Sequence, residues 1–283
     1  MTHPLRSLMT LLLLFPLGYL ILGAILYFYQ DAMVFQPTRG SFTEMEEKAG
    51  ALGFESWTNA KGEPIGWQSQ EGSSDTVLLV CNGNGGFALN GAVFRDYSRR
   101  EAGNWKVFLL EYPGYGSRPG ISSEKSLTDA GMEAVDTLAA VPGRKIWLIG
   151  LSLGSGTASA TARERPEKIA GLLLVTPFNS LVATAAFHYP WLPVPLFLKT
   201  RFDSEKNLKG YPGPVAFFLS AKDTTVPAVL GQKLYDGYSG RKRLWIHPEG
   251  DHDVFALLDA EWPRIVQWLQ GESALPVSIE KIR

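Results

Sequence analysis

Apolar residues gather along this chain in short runs, at 77–81, 107–110, 146–149, 171–175, 215–219 and 244–247. Most of these runs are four to six residues long and apolar on both faces. That is the pattern of strands in a parallel sheet covered by helices on each side. Between them lie stretches with helical spacing, near 88–100, 126–140, 155–165, 229–237 and 253–270. The alternation predicts an α/β fold with a doubly wound, mostly parallel sheet. Ahead of it, two short extended stretches, 54–57 and 64–67, flank the turn-prone Asn59-Ala-Lys-Gly62 and read as an N-terminal β-hairpin. No internal repeat or low-complexity tract interrupts the pattern.

The longest apolar stretch comes first. Residues 8–29 carry no charge over 22 positions. As a helix they would reach about 33 Å, enough for a hydrocarbon core of about 30 Å. A cleaved signal peptide competes with this reading, but its apolar core should be only about 7–15 residues long. Leu22-Gly23-Ala24 is a poor cleavage site, and the apolar run continues beyond it. An uncleaved anchor over 1–30 is therefore expected, with Tyr19, Tyr27 and Tyr29 as interfacial side chains and a catalytic domain over 31–283. Arg6 precedes the span while Asp31 follows it and Arg39 lies well past it, which places the N-terminus in the cytoplasm and the domain on the far side. Residues 30–50 read as a junction with Pro37, Gly40 and mixed charges.

Composition narrows the function. A chain of 283 residues, 45% hydrophobic, can bury a large core, and a net charge of −1 argues against a nucleic-acid partner. The one cysteine, Cys81, ends an apolar run and reads as a buried core thiol. No His, Cys or Asp cluster has metal-ligand spacing, so no cofactor or metal is expected. One irregular interval, 177–214, exceeds an ordinary connection and carries Phe187-His-Tyr-Pro-Trp-Leu-Pro-Val-Pro-Leu-Phe-Leu198. Its three prolines break any long helix, so it reads as a cap of short helices over the C-terminal edge of the sheet. The aromatic and leucine cluster there could line an acyl cleft or face the membrane. Packing of the cap onto the sheet is the reading favoured.

The chemistry begins at Gly150-Leu-Ser-Leu-Gly154, which follows an apolar strand and precedes the small-residue stretch 155–162. This is the nucleophile-elbow pattern, in which a serine sits at a strained strand-to-helix turn. Such a serine needs an imidazole to take its proton and an acid to orient the imidazole, in the chain order Ser, Asp or Glu, His. Four histidines are available. His3 lies beyond the span, His188 falls in the cap before any later-strand acid, and His247 ends a strand beside Pro248. His252, in the loop after the last strand, is the expected base. Asp223 follows the strand 215–219 and is the expected acid, whereas Asp251 and Asp253 are too close in sequence to reach the ring, and Glu249 is a weaker substitute. The oxyanion needs fixed backbone donors. Leu153 N–H should supply one and Asn84 N–H, in the loop Asn82-Gly-Asn-Gly-Gly86, the other. That loop lacks the ending of a P-loop and the spacing of a dinucleotide fingerprint.

The loop 82–86, Glu111-Tyr-Pro-Gly-Tyr-Gly116, Gly150-Leu-Ser-Leu-Gly-Ser-Gly156, Tyr189-Pro-Trp-Leu-Pro-Val194, Arg201-Phe-Asp-Ser204 and Gly250-Asp-His252 together resemble the α/β-hydrolase superfamily. The chain looks closest to its membrane-anchored branch, which includes the fungal bud-emergence protein and its bacterial and animal relatives. The similarity covers nearly the whole chain, and Gln30-Asp-Ala-Met-Val-Phe-Gln-Pro37 belongs to it. The resemblance implies a serine hydrolase of esters, thioesters or amides acting on a small-molecule or lipid acyl substrate, with Ser152, Asp223 and His252 as its triad. One departure is visible: such proteins usually carry His-Gly where this chain has Asn82-Gly83. A non-catalytic binding module on the same fold, and a peptidase or acyltransferase using the same triad, are the competing functions.

Overall fold

In the computed structural model, residues 3–100 and 104–271 are described. The chain opens with a long helix, α1 (His3–Val34), and a second, α2 (Phe42–Ala51). The hairpin β1 (Phe54–Thr58) and β2 (Pro64–Ser69) follows, then β3 (Ser73–Cys81), α3 (Val93–Arg100), β4 (Trp105–Leu110), α4 (Glu124–Ala139), β5 (Lys145–Leu151), α5 (Leu153–Glu164) and β6 (Ile169–Val175). The cap comprises α6 (Leu181–His188), α7 (Val194–Phe197) and α8 (Ser204–Leu208). The chain then closes with β7 (Val215–Ser220), α9 (Ala228–Gly237), β8 (Lys242–His247) and α10 (Phe255–Leu269). All six apolar runs and the early hairpin are strands, and the expected helices stand where periodicity placed them. Of the expected domain, 101–103 and 272–283 lie outside the described residues.

The strands form one sheet in the order β1-β2-β4-β3-β5-β6-β7-β8, parallel from β4 to β8 with the hairpin antiparallel at one edge. Successive strand residues feed two separate cores. Val77, Leu79, Leu148 and Phe217 pack with Leu127 and Ala134 of α4 on one face, while Leu78, Val80, Ile149 and Phe218 pack with Phe94 of α3 and Trp262 of α10 on the other. Burial on both faces is why the runs are apolar throughout instead of alternating. The chain steps from β3 outward to β4, then recrosses to β5 and continues the other way. Loops leaving β3 and β5 therefore diverge and open a crevice at the carboxyl ends of the strands.

Three expectations change. The junction contains the helix α2, whose start is fixed by a capping box: Ser41 accepts from Glu44 N–H and Glu44 returns a bond to Ser41 N–H. The signal was present as Ser41-Phe-Thr-Glu44, a capping-box spacing. The apolar helix also continues past residue 30 to Val34, and its stretch Leu17–Val34 is long and apolar enough to cross a membrane. The cap cluster packs only in part: Val194 is buried and Leu192, Phe197 and Leu198 are half-buried. Phe187, Tyr189, Trp191 and Leu196 are exposed, and prolines at 190, 193 and 195 keep the helices of this segment short.

Candidate active site

Ser152 stands between β5 and α5 with φ 50° and ψ −116°, a left-handed backbone that strains any residue with a Cβ. The turn is held by Ser152 N–H donating to Val175 O at 2.9 Å and by Ser155 Oγ donating to Ser152 O at 2.6 Å. The flanking glycines are steric requirements. A Cβ on Gly150 would lie 2.7 Å from Gly154 O, and one on Gly154 would strike the Cys81 carbonyl. The strand-to-helix crossing is tight enough that only glycine fits at both places.

The expected base and acid converge on this serine. His252 Nε2 lies 3.0 Å from Ser152 Oγ, and His252 Nδ1 lies 2.7 Å from Asp223 Oδ2. The Asp223 side chain is 1% exposed, and its other oxygen, Oδ1, accepts from Thr225 N–H at 2.9 Å and Val226 N–H at 2.7 Å. Asp223 thus caps its own turn and also faces the imidazole. Asp251 is occupied locally, its Oδ1 accepting from His252 N–H, while Glu249 pairs with Lys222 at the surface. His188 bonds Thr225 O, and His247 is half-buried at the end of β8.

A cleft of about 520 Å³ runs past Ser152 and His252, lined by Asn84, Phe87, Val175 and Phe255 among others. That volume suits a small organic ligand. Asn84 lines this cleft, and Leu153 follows Ser152 as the first residue of α5. Asn82, at the departure from His-Gly, is buried and its Nδ2 donates to Ala88 O at 2.7 Å, which closes the loop 82–86 across its ends. The described residues include no group of three or more His, Cys, Asp or Glu placed to hold a metal ion.

Around the loop lies a polar support to which the sequence reading assigned no role. Asn84 Oδ1 accepts from Tyr115 OH at 2.6 Å and Gln36 N–H at 2.9 Å, and its Nδ2 donates to Val34 O at 2.6 Å. Tyr112 OH donates to Asn82 O at 3.0 Å. Glu111 is buried and accepts from Ala88 N–H at 3.1 Å and Trp67 Nε1–H at 3.3 Å. Burial pushes its carboxyl up to about 7, against the pull of those two donors and of Arg118. The signal for these residues was Glu111 directly after a buried strand, an unusual place for a lone carboxylate. Cys81 is buried at the end of β3, and desolvation pushes its thiol up to about 12.

With sheet order and site in view, the class is clear: residues 76–209 match the alpha/beta hydrolase fold family, and the chain belongs to the α/β-hydrolase superfamily. Its relatives include an uncharacterized protein of Mycobacterium tuberculosis, 33% identical over 66% of this chain, and an uncharacterized membrane protein of Saccharomyces cerevisiae, 29% identical over 70% of this chain and 72% of that protein. The lysophosphatidylserine lipase ABHD12 of Macaca fascicularis is 26% identical over 63% of this chain. The matches span 66% of the mycobacterial protein and 50% of the lipase. Among solved structures, the Pyrococcus furiosus esterase Pf2001 shares the fold with a TM-score of 0.62 at 18% identity, covering 83% of this chain and 96% of that one.

Proposed function

We propose that this protein is a membrane-anchored serine hydrolase that cleaves carboxylic ester or thioester bonds through an acyl-enzyme on Ser152. The observation that carries the reading is the unbroken line from Asp223 Oδ2 through both ring nitrogens of His252 to Ser152 Oγ, at 2.7 and 3.0 Å. His252 takes the proton as Ser152 Oγ attacks the acyl carbon. The tetrahedral oxyanion is held by Leu153 and Asn84 N–H groups. Collapse expels the alcohol or thiol, which leaves with the proton from His252, and water repeats the sequence to release the acid and restore the serine. Asp223 keeps the imidazole in the tautomer that accepts on Nε2 and stabilises the imidazolium. Loss of one oxyanion donor in comparable sites costs about 100- to 1,000-fold in rate.

A lipid acyl substrate is favoured by the lipase among the relatives and by α1. In this reading α1 crosses the bilayer with its N-terminus in the cytoplasm and carries the hydrolase domain on the far face. Labelling with a fluorophosphonate probe tests the nucleophile: the full chain should label and Ser152→Ala should not. Equal labelling of the variant would remove Ser152 from the role. Absence of labelling, with no hydrolysis of short p-nitrophenyl esters, would favour a binding module instead.

A further inference from the structure

The cap carries an apolar surface that the catalytic reading does not use. Residues 187–198 contain no Asp, Glu, Lys or Arg, and Phe187, Trp191 and Leu196 are 55%, 62% and 77% exposed. Several large apolar side chains exposed within one short segment of a folded domain point to an interaction site. We propose that this segment of the cap is inserted into the same bilayer that α1 crosses, so that the protein meets lipid through two elements. The inference rests on α1 being a span.

Position along α1 is what commits the surface to lipid. The Phe197 ring lies so close to Gly23 that a Cβ there would stand 2.6 Å from a ring carbon. Gly23 is six residues before Tyr29, the last aromatic of the uncharged run. At about 1.5 Å per residue, α7 therefore touches the span about 9 Å inside that boundary. Whatever surrounds Gly23 surrounds the cap tip at the same depth. An apolar crevice formed by Leu26, Met33, Leu192, Phe197 and Leu198 joins the two elements.

The contact is fastened by one buried polar side chain. Gln30 Nε2 donates to Tyr27 O at 2.7 Å and Phe197 O at 3.2 Å, while its Oε1 accepts from Lys199 N–H at 2.5 Å and Thr200 N–H at 3.3 Å. Charge resumes directly afterwards. Lys199 Nζ sits 3.6 Å from the Tyr27 ring centroid, and Thr200 Oγ1 donates to Asp31 at 3.0 Å. An aromatic ring under a lysine ammonium, close to a carboxylate, is the side-chain chemistry of a headgroup layer. Exposed Leu20, Ile25 and Phe28 give α1 the same apolar surface on the span side of that level.

The test uses the full chain in phosphatidylcholine vesicles, with one environment-sensitive fluorophore placed by Leu196→Cys, Leu20→Cys or Val141→Cys. Native Cys81 is buried and stays unlabelled. Val141 precedes β5 at the opposite end of the sheet from the site and is 44% exposed. Quenching by nitroxide on the lipid acyl chains should be several-fold stronger at 196 and 20 than at 141, and quenching by aqueous iodide should show the reverse order. Iodide access at 196 equal to that at 141, with 20 still in lipid, would overturn insertion of the cap and leave the span intact. Iodide access at all three would remove the span as well. Shielding of 196 from both quenchers would mean that a second copy of the chain covers the patch, which also overturns the proposal.

Discussion

Asp223 holds His252 with one carboxylate oxygen while the other is bound by two backbone N–H groups of its own turn. The second pair of bonds locks the carboxylate so that its free oxygen points at the imidazole without cost in side-chain freedom at the moment of reaction. Asp223→Asn keeps the shape but presents an amide, which reverses the tautomer preference of His252. A loss of about ten-thousandfold in turnover of a short ester is expected, with little change in the thermal midpoint. A fall of under tenfold would mean that Asp223 acts only as a turn cap.

The backbone at Ser152 gives a prediction about stability. Both Ser152→Ala and Ser152→Gly remove the hydroxyl, but only glycine relieves the positive φ. A strained residue costs about 1–3 kcal/mol, set against about 1 kcal/mol for the entropy glycine gains on unfolding. The glycine variant should therefore be the more stable of the two by about 1 kcal/mol in urea unfolding. An alanine variant equal to or above it would show that the elbow stores no strain.

Gly150→Ala tests the crossing itself. Its methyl would sit 2.7 Å from both Gly154 O and Ser155 Cα, backbone atoms that cannot turn aside. Overpacking of this kind costs about 1–3 kcal/mol, and displacement of the elbow should cut probe labelling of Ser152 as well. Denaturant unfolding and labelling rate, measured together, separate the two effects. Full labelling with unchanged stability would show that the strand and helix can move apart.

Glu111 supplies a pH dependence. Its carboxyl titrates near 7 in the fold, against the ordinary 4.5, because burial opposes the charged form. Between those two values the folded chain binds more protons than the unfolded chain, so this group makes stability fall as pH rises through the window, by about 3 kcal/mol in total. Below the lower value both states are protonated and the effect is absent. Glu111→Gln has no charge to bury. Its thermal midpoint relative to the parent should therefore rise between about pH 5 and about pH 8. A parallel pair of curves would show that the Glu111 carboxylate is not desolvated in solution.

Much of the architecture could be read locally. A strand buried on both faces has to be apolar at every position, so the six runs announced a covered parallel sheet. The strained serine turn requires small neighbours, so Gly150 and Gly154 announced the elbow. The capping box at Ser41 was equally local, yet mixed charges around it concealed α2. The cap resisted reading, since an apolar run looks the same whether it faces a core or a bilayer. Which of its side chains are exposed appears only once the cap is folded against α1.

Residue types and their order along the chain were enough to determine the elbow, the apolar strands and the candidates for base and acid, because each is a short-range requirement on sterics or burial. The tertiary structure alone decided which donors hold the loop at Asn84, how Glu111 came to be buried beneath it, and which way the cap faces. Those depend on side chains that meet across the fold after distant segments have packed, a matter on which spacing along the chain is silent.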